Sequence, residues 1–436
     1  MELPKTFASL GFKQFRLLWF STAMANSGQY AFTVAASWLV FSISQSTSLV
    51  GTTVFASMIP GVIFGPLIGV LCDRFDRGRL LTIAHTLSGC NIGILGVLIL
   101  LGFTSPWFII ASAFLLGISF NIQITCTNSL IPELVPKASL FNATALQGSV
   151  QQGAGFFGSG IATPILALLG PVAVFFTCLA LYMGAMLQTL KVRPNSSLTT
   201  PETSSSEVKR GNFSIHNVFK PIFQGFAYIM RTPEIRSLIV IVGAHCVLTM
   251  SYMSLLPEHI QNYLKAGQGV YGTLMMFIGL GAIAGTLAIA SITSRKGQGR
   301  IYLFSAILSG LTLCMLSLVQ IPAIIYIIGV AIGGTQAIFM SINLSFVLER
   351  ASSEYRGRVA SANFIVASGG MALGNFVYGQ IAGRIPGHVT MLVTGGAFVI
   401  LVFVLIMFSD TFRRFYRRAE PIESEAVFRK GEVTTM

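Results

Sequence analysis

An all-α membrane protein of about twelve transmembrane helices, built as two six-helix pseudo-repeats with both termini cytoplasmic, is the class this sequence predicts. Three observations predict it. Of 436 residues, 53% are hydrophobic and 10% charged, against roughly a quarter charged in soluble domains. Apolar runs recur along the chain at the length of roughly 20 residues that a bilayer core about 30 Å thick requires. The 28 Lys and Arg residues fall in alternate breaks between those runs and not in one patch, which is a positive-inside pattern and gives no nucleic-acid footprint despite the net charge of +13.

The first run, Leu17 to Phe41, is too long for a signal-peptide core and is followed by no small-residue cleavage site, so it reads as a retained helix. Further apolar runs place spans near 49–72, 80–102, 106–130, 139–168 and 171–190, then 236–262, 269–293, 301–319, 322–347, 357–385 and 388–409. Barrel strands would alternate polar and apolar residues, which these runs do not. Alternate threading leaves Lys265 and Arg384 as the only basic residues on the far side. The expected organisation is a six-helix bundle over 1–190, a cytoplasmic linker over 191–235, a second bundle over 236–410 and a cytoplasmic tail over 411–436. Within the linker, Asn195 to Ser206 is Ser/Thr-rich and reads as flexible. Phe213 to Met230 carries Phe219, Ile222, Phe223, Phe226, Ile229 and Met230 at helical spacing, as an interfacial helix would. Arg413, Arg414, Arg417 and Arg418 open the tail as a membrane-surface cluster.

Compared with itself at an offset of 221 residues, the chain sets Arg74, Gly78 and Arg79 on Arg295, Gly299 and Arg300. At the same offset Asn142, Gly153 and Gly158 fall on Asn363, Gly374 and Gly379. Two separated matches at one offset argue for two repeated halves enclosing a site near the midplane. All six cysteines lie in or at the ends of apolar runs without metal-ligand spacing, and read as buried small hydrophobes.

The segment Gly69-Val-Leu-Cys-Asp73-Arg74-Phe-Asp76-Arg77-Gly78-Arg79 resembles the signature that the major facilitator superfamily carries between its second and third helices. Phe15-Arg16-Leu17-Leu18-Trp19, Gly225 to Arg236 and Tyr355-Arg356-Gly357-Arg358-Val359 are similar to the branch of siderophore exporters, such as the enterobactin exporter, and macrolide efflux pumps. The resemblance implies efflux, commonly by proton antiport. It also implies that Asp73, Arg74, Arg77 and Arg79 form a conformational latch. On charge alone, Asp73 at a helix end can pair with Arg77 or with a neighbouring helix N-terminus. Glu349, Arg356 and Arg358, in the tenth-to-eleventh loop, are the expected latch partners on the other half. Members of the branch often carry an acid in the middle of helix 1, where this sequence reads Ser27-Gly28-Gln29-Tyr30 and Gln29 cannot titrate. The Gly-Pro pair of the antiporter motif is also missing from the glycine-rich fifth span.

Ionisable groups inside a span are expensive and therefore functional candidates. Fourteen of the fifteen acidic residues fall in loops, tails or helix ends on the cytoplasmic side; Glu258, toward the outer end of helix 7, is the exception. His245, about a third of the way into that helix, is the best-placed near-neutral group, so His245 and Glu258 are the expected proton path, with His259 beside them. His85 in helix 3 is expected to be structural. Uncharged polar residues recur at helical spacing, and a wet cavity shared by several helices would satisfy them. The expected solute ligands are Asn26, Gln29, Asn121, Gln147, Gln151, Thr249, Tyr252, Gln336, Asn343 and Asn375.

Neutral donors and acceptors without a midplane charge suit a sizeable polar or amphiphilic solute better than a small ion. The expected protein is a secondary transporter of the cytoplasmic (inner) membrane, exporting a siderophore or drug-like natural product. Its expected partners are that small molecule, membrane lipids and protons, with no nucleic acid, as a monomer. An importer on the same scaffold, a non-transporting sensor and a lipid scramblase are the alternatives. No nucleophile with a base, metal-ligand set or cofactor motif is visible, so neither enzyme activity nor a cofactor is expected.

Overall fold

The computed structural model describes residues 5–193, 215–291, 297–409 and 412–413. The expected flexible segment Asn195 to Ser206, the repeat residue Arg295 and the tail arginines Arg414, Arg417 and Arg418 lie outside the described residues.

Thirteen helices of more than twelve residues carry the described chain. In order they are α1 (Lys13–Ser44), α2 (Thr47–Arg74), α3 (Arg77–Leu100), α4 (Pro106–Leu134), α5 (Leu140–Leu169) and α6 (Pro171–Thr189). Then follow α7 (Ile215–Arg231), α8 (Pro233–Leu248), α9 (Gln268–Ser291), α10 (Gln298–Leu318), α11 (Pro322–Arg350), α12 (Arg356–Ile381) and α13 (Gly387–Phe408). Prolines at the first position start α4, α6, α8 and α11, where their missing N–H costs nothing. Asp76 caps α3 by accepting the Arg79 N–H at 2.7 Å, so the acidic residue between the two arginines starts a helix.

Eleven of the described helices are long and apolar enough to cross a membrane. Lys13–Ser44 is not among them, because Ser21, Thr22, Asn26, Ser27 and Gln29 interrupt its apolar character. Those five side chains are buried, and α1 packs against α2, α4, α5 and α6, so its polar groups meet other helices.

The helix pairings recur in the two halves of the sequence. α2 packs on α4 as α9 does on α11, α1 on α5 as α8 does on α12, α3 on α6 as α10 does on α13, and α3 on α4 as α10 does on α11. Across the halves the principal contacts are α5 on α9 and α2 on α12, which exchange under the same correspondence. Small residues make both seams. A Cβ on Gly51 would lie 2.5 Å from the Asn375 carbonyl oxygen, and one on Gly279 would lie 2.5 Å from the Gly155 carbonyl carbon. Trp38, six residues before the end of α1, stacks on Tyr271 at 5.6 Å.

One expectation changes. The seventh apolar run is not one continuous helix: α8 ends at Leu248 and gives way to a 3-10 turn (Ser251–Ser254), a single turn (Leu256–Glu258) and a π-turn (His259–Tyr263). Pro257 has no N–H, and its ring would clash with the Met253 carbonyl in a regular helix, so the irregular stretch starts upstream of it. The amphipathic segment runs as a helix, α7, which packs against α12 and α8 and touches α2. Gly225 allows that approach, because a Cβ there would sit 2.8 Å from the Arg358 carbonyl oxygen. Tyr228 stacks on Tyr355 at 4.5 Å and 9°, so two of the motifs that carried the resemblance are in contact.

Candidate functional site

In the first half, α1 turns its polar side chains toward α6 and toward a small cavity. Gln29 accepts a hydrogen bond from the Tyr182 hydroxyl at 3.1 Å. Asn26 and Gln151 line a cavity of about 10 Å³ with Thr22, His85, Gln123 and Thr127. Gln147 is buried at 2% exposure with both amide atoms unpartnered among the described residues. Asn121 lies elsewhere: its amide bonds the Gly117 carbonyl at 2.8 Å and fills the space above Gly61 of α2. Asn121 and Gln123 are two residues apart, which on an α-helix sets their side chains on nearly opposite faces.

The second-half candidates gather around the break after α8. Gln336 of α11 donates to the Thr249 carbonyl at 3.0 Å, and Asn375 of α12 accepts the Ser254 N–H at 3.0 Å. Both amides thus satisfy backbone groups that an unbroken helix would pair internally. Tyr252 is buried between them in sequence, at 1% exposure. Asn343 belongs to a different cluster, accepting the Tyr302 hydroxyl at 2.7 Å and donating to Asn363 at 3.4 Å. His245 is held in an aromatic cage. Its ring stacks on Phe339 at 4.1 Å, meets Phe398 edge-on at 5.2 Å and touches the Ser309 hydroxyl at 3.0 Å. Glu258 sits past the break, its carboxylate against the Cα of Gly387, while His259 stacks on Tyr263 and Tyr263 on His388. The break therefore separates the two residues expected to share one proton path.

Four of the expected latch residues, Asp73, Arg77, Arg356 and Arg358, bond within their own halves. Arg77 bonds Glu133 of α4 closely, reaches Asp73 at 3.7 Å, and donates to the Ser129 and Cys72 carbonyls. Arg79 is exposed and Arg74 lines an apolar groove of about 540 Å³ between α2 and α4, with Phe64, Leu67, Ile68, Leu71 and Phe75. On the other half, Arg358 pairs with Glu354 at 3.8 Å and lies over the Tyr355 ring, Arg356 donates to the Ala351 carbonyl, and Glu349 accepts the Ser345 hydroxyl. Arg350 joins Glu234 at 3.3 Å, fastening α11 to the start of α8.

Sequence reasoning overlooked His85, Gln123 and Tyr182 as members of a polar cluster. His85, Ser88, Gln123 and Thr127 do repeat at helical spacing on α3 and α4, but each pair alone resembles a minor polar interruption.

The sequence model of a family described as "Transmembrane secretion effector" matches residues 4–433. Macrolide efflux protein A of Streptococcus pyogenes is 21% identical over 85% of this chain and 91% of its own length. The staphyloferrin A transporter of Staphylococcus aureus is 24% identical over 66% and 69%, and the multidrug efflux pump Tap of Mycobacterium bovis is 24% identical over 86% and 88%. Among solved structures, the D-xylose–proton symporter superposes with a TM-score of 0.68 at 15% identity, over 94% of this chain and 100% of that one. A bacterial homologue of the human lysosomal transporter Spinster, in an inward-facing and unoccupied conformation, gives 0.69 at 15% identity over 94% and 98%.

Proposed function

Because the chain belongs to the transmembrane secretion effector family of the major facilitator superfamily, a family of membrane transporters, we propose that it exports a polar or amphiphilic small molecule by alternating access with proton antiport. It is a multi-pass protein of the cytoplasmic membrane. The reading divides it into bundles over 1–190 and 236–410, a linker over 191–235 and a tail over 411–436, with twelve spans counting α1, both ends cytoplasmic, and a monomer as the working unit. The recurrent helix pairings support that division.

One observation carries the alternating-access part. The halves meet through Gly51 and Gly379 beside the α1–α2 turn and through Gly155 and Gly279 at mid-helix, while Asp73, Arg77, Arg356 and Arg358 at the charged end bond within their own halves. A latch whose members bond internally is in its released state, and re-pairing across the halves is the event that would close that end. For the solute, siderophores and drug-like natural products are the proposed class, supported by the macrolide and staphyloferrin relatives and by the apolar groove that includes Arg74. Asn26, Gln29, Gln147 and Gln151 in the first half, with Asn121, and Thr249, Tyr252, Gln336, Asn343 and Asn375 in the second, are the proposed polar lining. Glu258, half-buried past the break, is the proposed second-half proton group, and caged His245 its inner companion.

Counterflow into proteoliposomes tests the reading, with a labelled macrolide, labelled staphyloferrin A and a fluorescent phospholipid as probes. Exchange of one of the first two supports it. Binding without exchange points to a sensor, and movement of the phospholipid alone points to a scramblase.

A further inference from the structure

The cavity lined by Asn26 and Gln151 contains a titratable side chain that the reading above does not use. We propose that His85 of α3, together with Gln123 of α4 in the same cavity, is the proton-binding site of the first half; the proposal rests on proton-coupled transport.

His85 Nδ1 lies 3.1 Å from the Thr189 hydroxyl of α6, which also lies 2.7 Å from the Ala185 carbonyl and 2.8 Å from the Ser21 hydroxyl. With Thr189 donating to Ala185 and accepting from the ring N–H, neutral His85 carries its proton on Nδ1 and a basic lone pair on Nε2. Gln123 supplies the second observation. Its amide Nε2 donates to Ser88 at 3.1 Å, which orients the group, while its Oε1 is buried without a partner among the described residues. An acceptor so placed is costly unless a donor reaches it.

The cavity of about 10 Å³ has room for about one water molecule among polar walls. A hydronium proton passing through that water adds to the Nε2 lone pair; one water O–H bond breaks, one N–H bond forms, and water is released. The new Nε2–H is then the donor that Gln123 Oε1 lacks, directly or through the water. The titratable side chain facing His85 is Tyr182 of α6, 6.4 Å ring to ring, whose hydroxyl is committed to Gln29. From α1 come Thr22 and Asn26, from α4 Gln123 and Thr127, from α5 Gln151, and no charged side chain lines the cavity. His245 differs in each respect: its neighbours are Phe339, Phe398 and the Ser309 hydroxyl.

The full chain in lipid nanodiscs, with its histidines isotope-labelled at Cε1, tests this without a transported solute. His85→Asn assigns the resonance and keeps an amide where Nδ1 meets Thr189. The expected result is that the assigned resonance titrates over the range in which the halves respond to pH, with its midpoint lowered in Gln123→Leu. Spin labels on the α2–α3 loop and the start of α12 report, in parallel, the separation of the halves as pH is varied. A pH-driven change in the wild-type protein that is lost in His85→Asn supports the site. A His85 resonance that stays neutral, or a His85→Asn protein that switches at the wild-type midpoint, overturns the His85 assignment alone. A wild-type protein whose halves ignore pH overturns proton coupling and this site with it.

Discussion

The side-chain amide of Gln336 closes onto the backbone carbonyl of Thr249 at 3.0 Å, at the residue where α8 stops being a helix. Both residues are buried, so water cannot replace the bond. Leaving a buried carbonyl unpaired costs about 1–3 kcal/mol. Gln336→Leu is therefore expected to destabilise the protein by that amount, seen as a lower thermal unfolding midpoint in detergent, with Gln336→Asn falling between. An unchanged midpoint in the leucine variant would mean that the amide is not supporting the break.

The glycine seam makes a different demand. A Cβ on Gly379 would lie 2.9 Å from both the Gly51 Cα and the Thr47 carbonyl oxygen, and one on Gly279 would press on Gly155 and Phe156. Overpacking of this kind costs about 1–3 kcal/mol, and it applies only while the seam is closed. Gly279→Val and Gly379→Val are expected to shift the population away from the closed seam by about 5- to 150-fold. Spin-label distances between the α1–α2 turn and the α12–α13 turn should lengthen while the helix content holds.

Arg77 distinguishes its two acidic partners by their exposure. The Asp73 side chain is 58% exposed and that of Glu133 22%. Asp73→Asn is expected to change stability by less than about 0.5 kcal/mol, and Glu133→Gln to cost about 1 kcal/mol, because it leaves a half-buried guanidinium less well paired. Chemical denaturation of the two variants separates them. If Asp73 also latches the halves, its asparagine variant should shift the conformational populations despite its unchanged stability.

α7 is expected to act as a strut on α12. Gly225→Leu would push against the Arg358 carbonyl and separate Tyr228 from Tyr355, which stack at 4.5 Å. Proteolysis of the linker in the purified protein should then speed several-fold, because cleavage follows the population of the locally opened state, which rises exponentially as its free energy falls. Equal rates would mean that α7 is not held by that contact.

The spans, the charged loops and the repeat were legible because hydropathy and charge are properties of single positions. The break in the seventh run was not legible from Pro257 alone, since α2 runs unbroken through Pro60 and Pro66 and α5 through Pro164. Which groups Asn375 and Gln336 meet was not legible: a buried amide on an apolar helix announces that it needs a partner, and not which one. Here the partners are the Ser254 N–H and the Thr249 carbonyl. His85 was opaque because Thr189, Gln123 and Asn26 come to it from three other helices, and sequence spacing carries no information about that convergence. Glu133 was missed as the close partner of Arg77, since 56 residues separate them in the chain.

Direction of transport is the central claim, and everted membrane vesicles measure it most directly. Vesicles from cells with and without the protein would be supplied with an extract of the producing cells and an acid interior, and their contents compared by mass spectrometry. Protein-dependent accumulation of a polar or amphiphilic solute, abolished when the pH gradient is collapsed, is the predicted result. Accumulation in right-side-out vesicles instead, or no protein-dependent difference in either orientation, would contradict it.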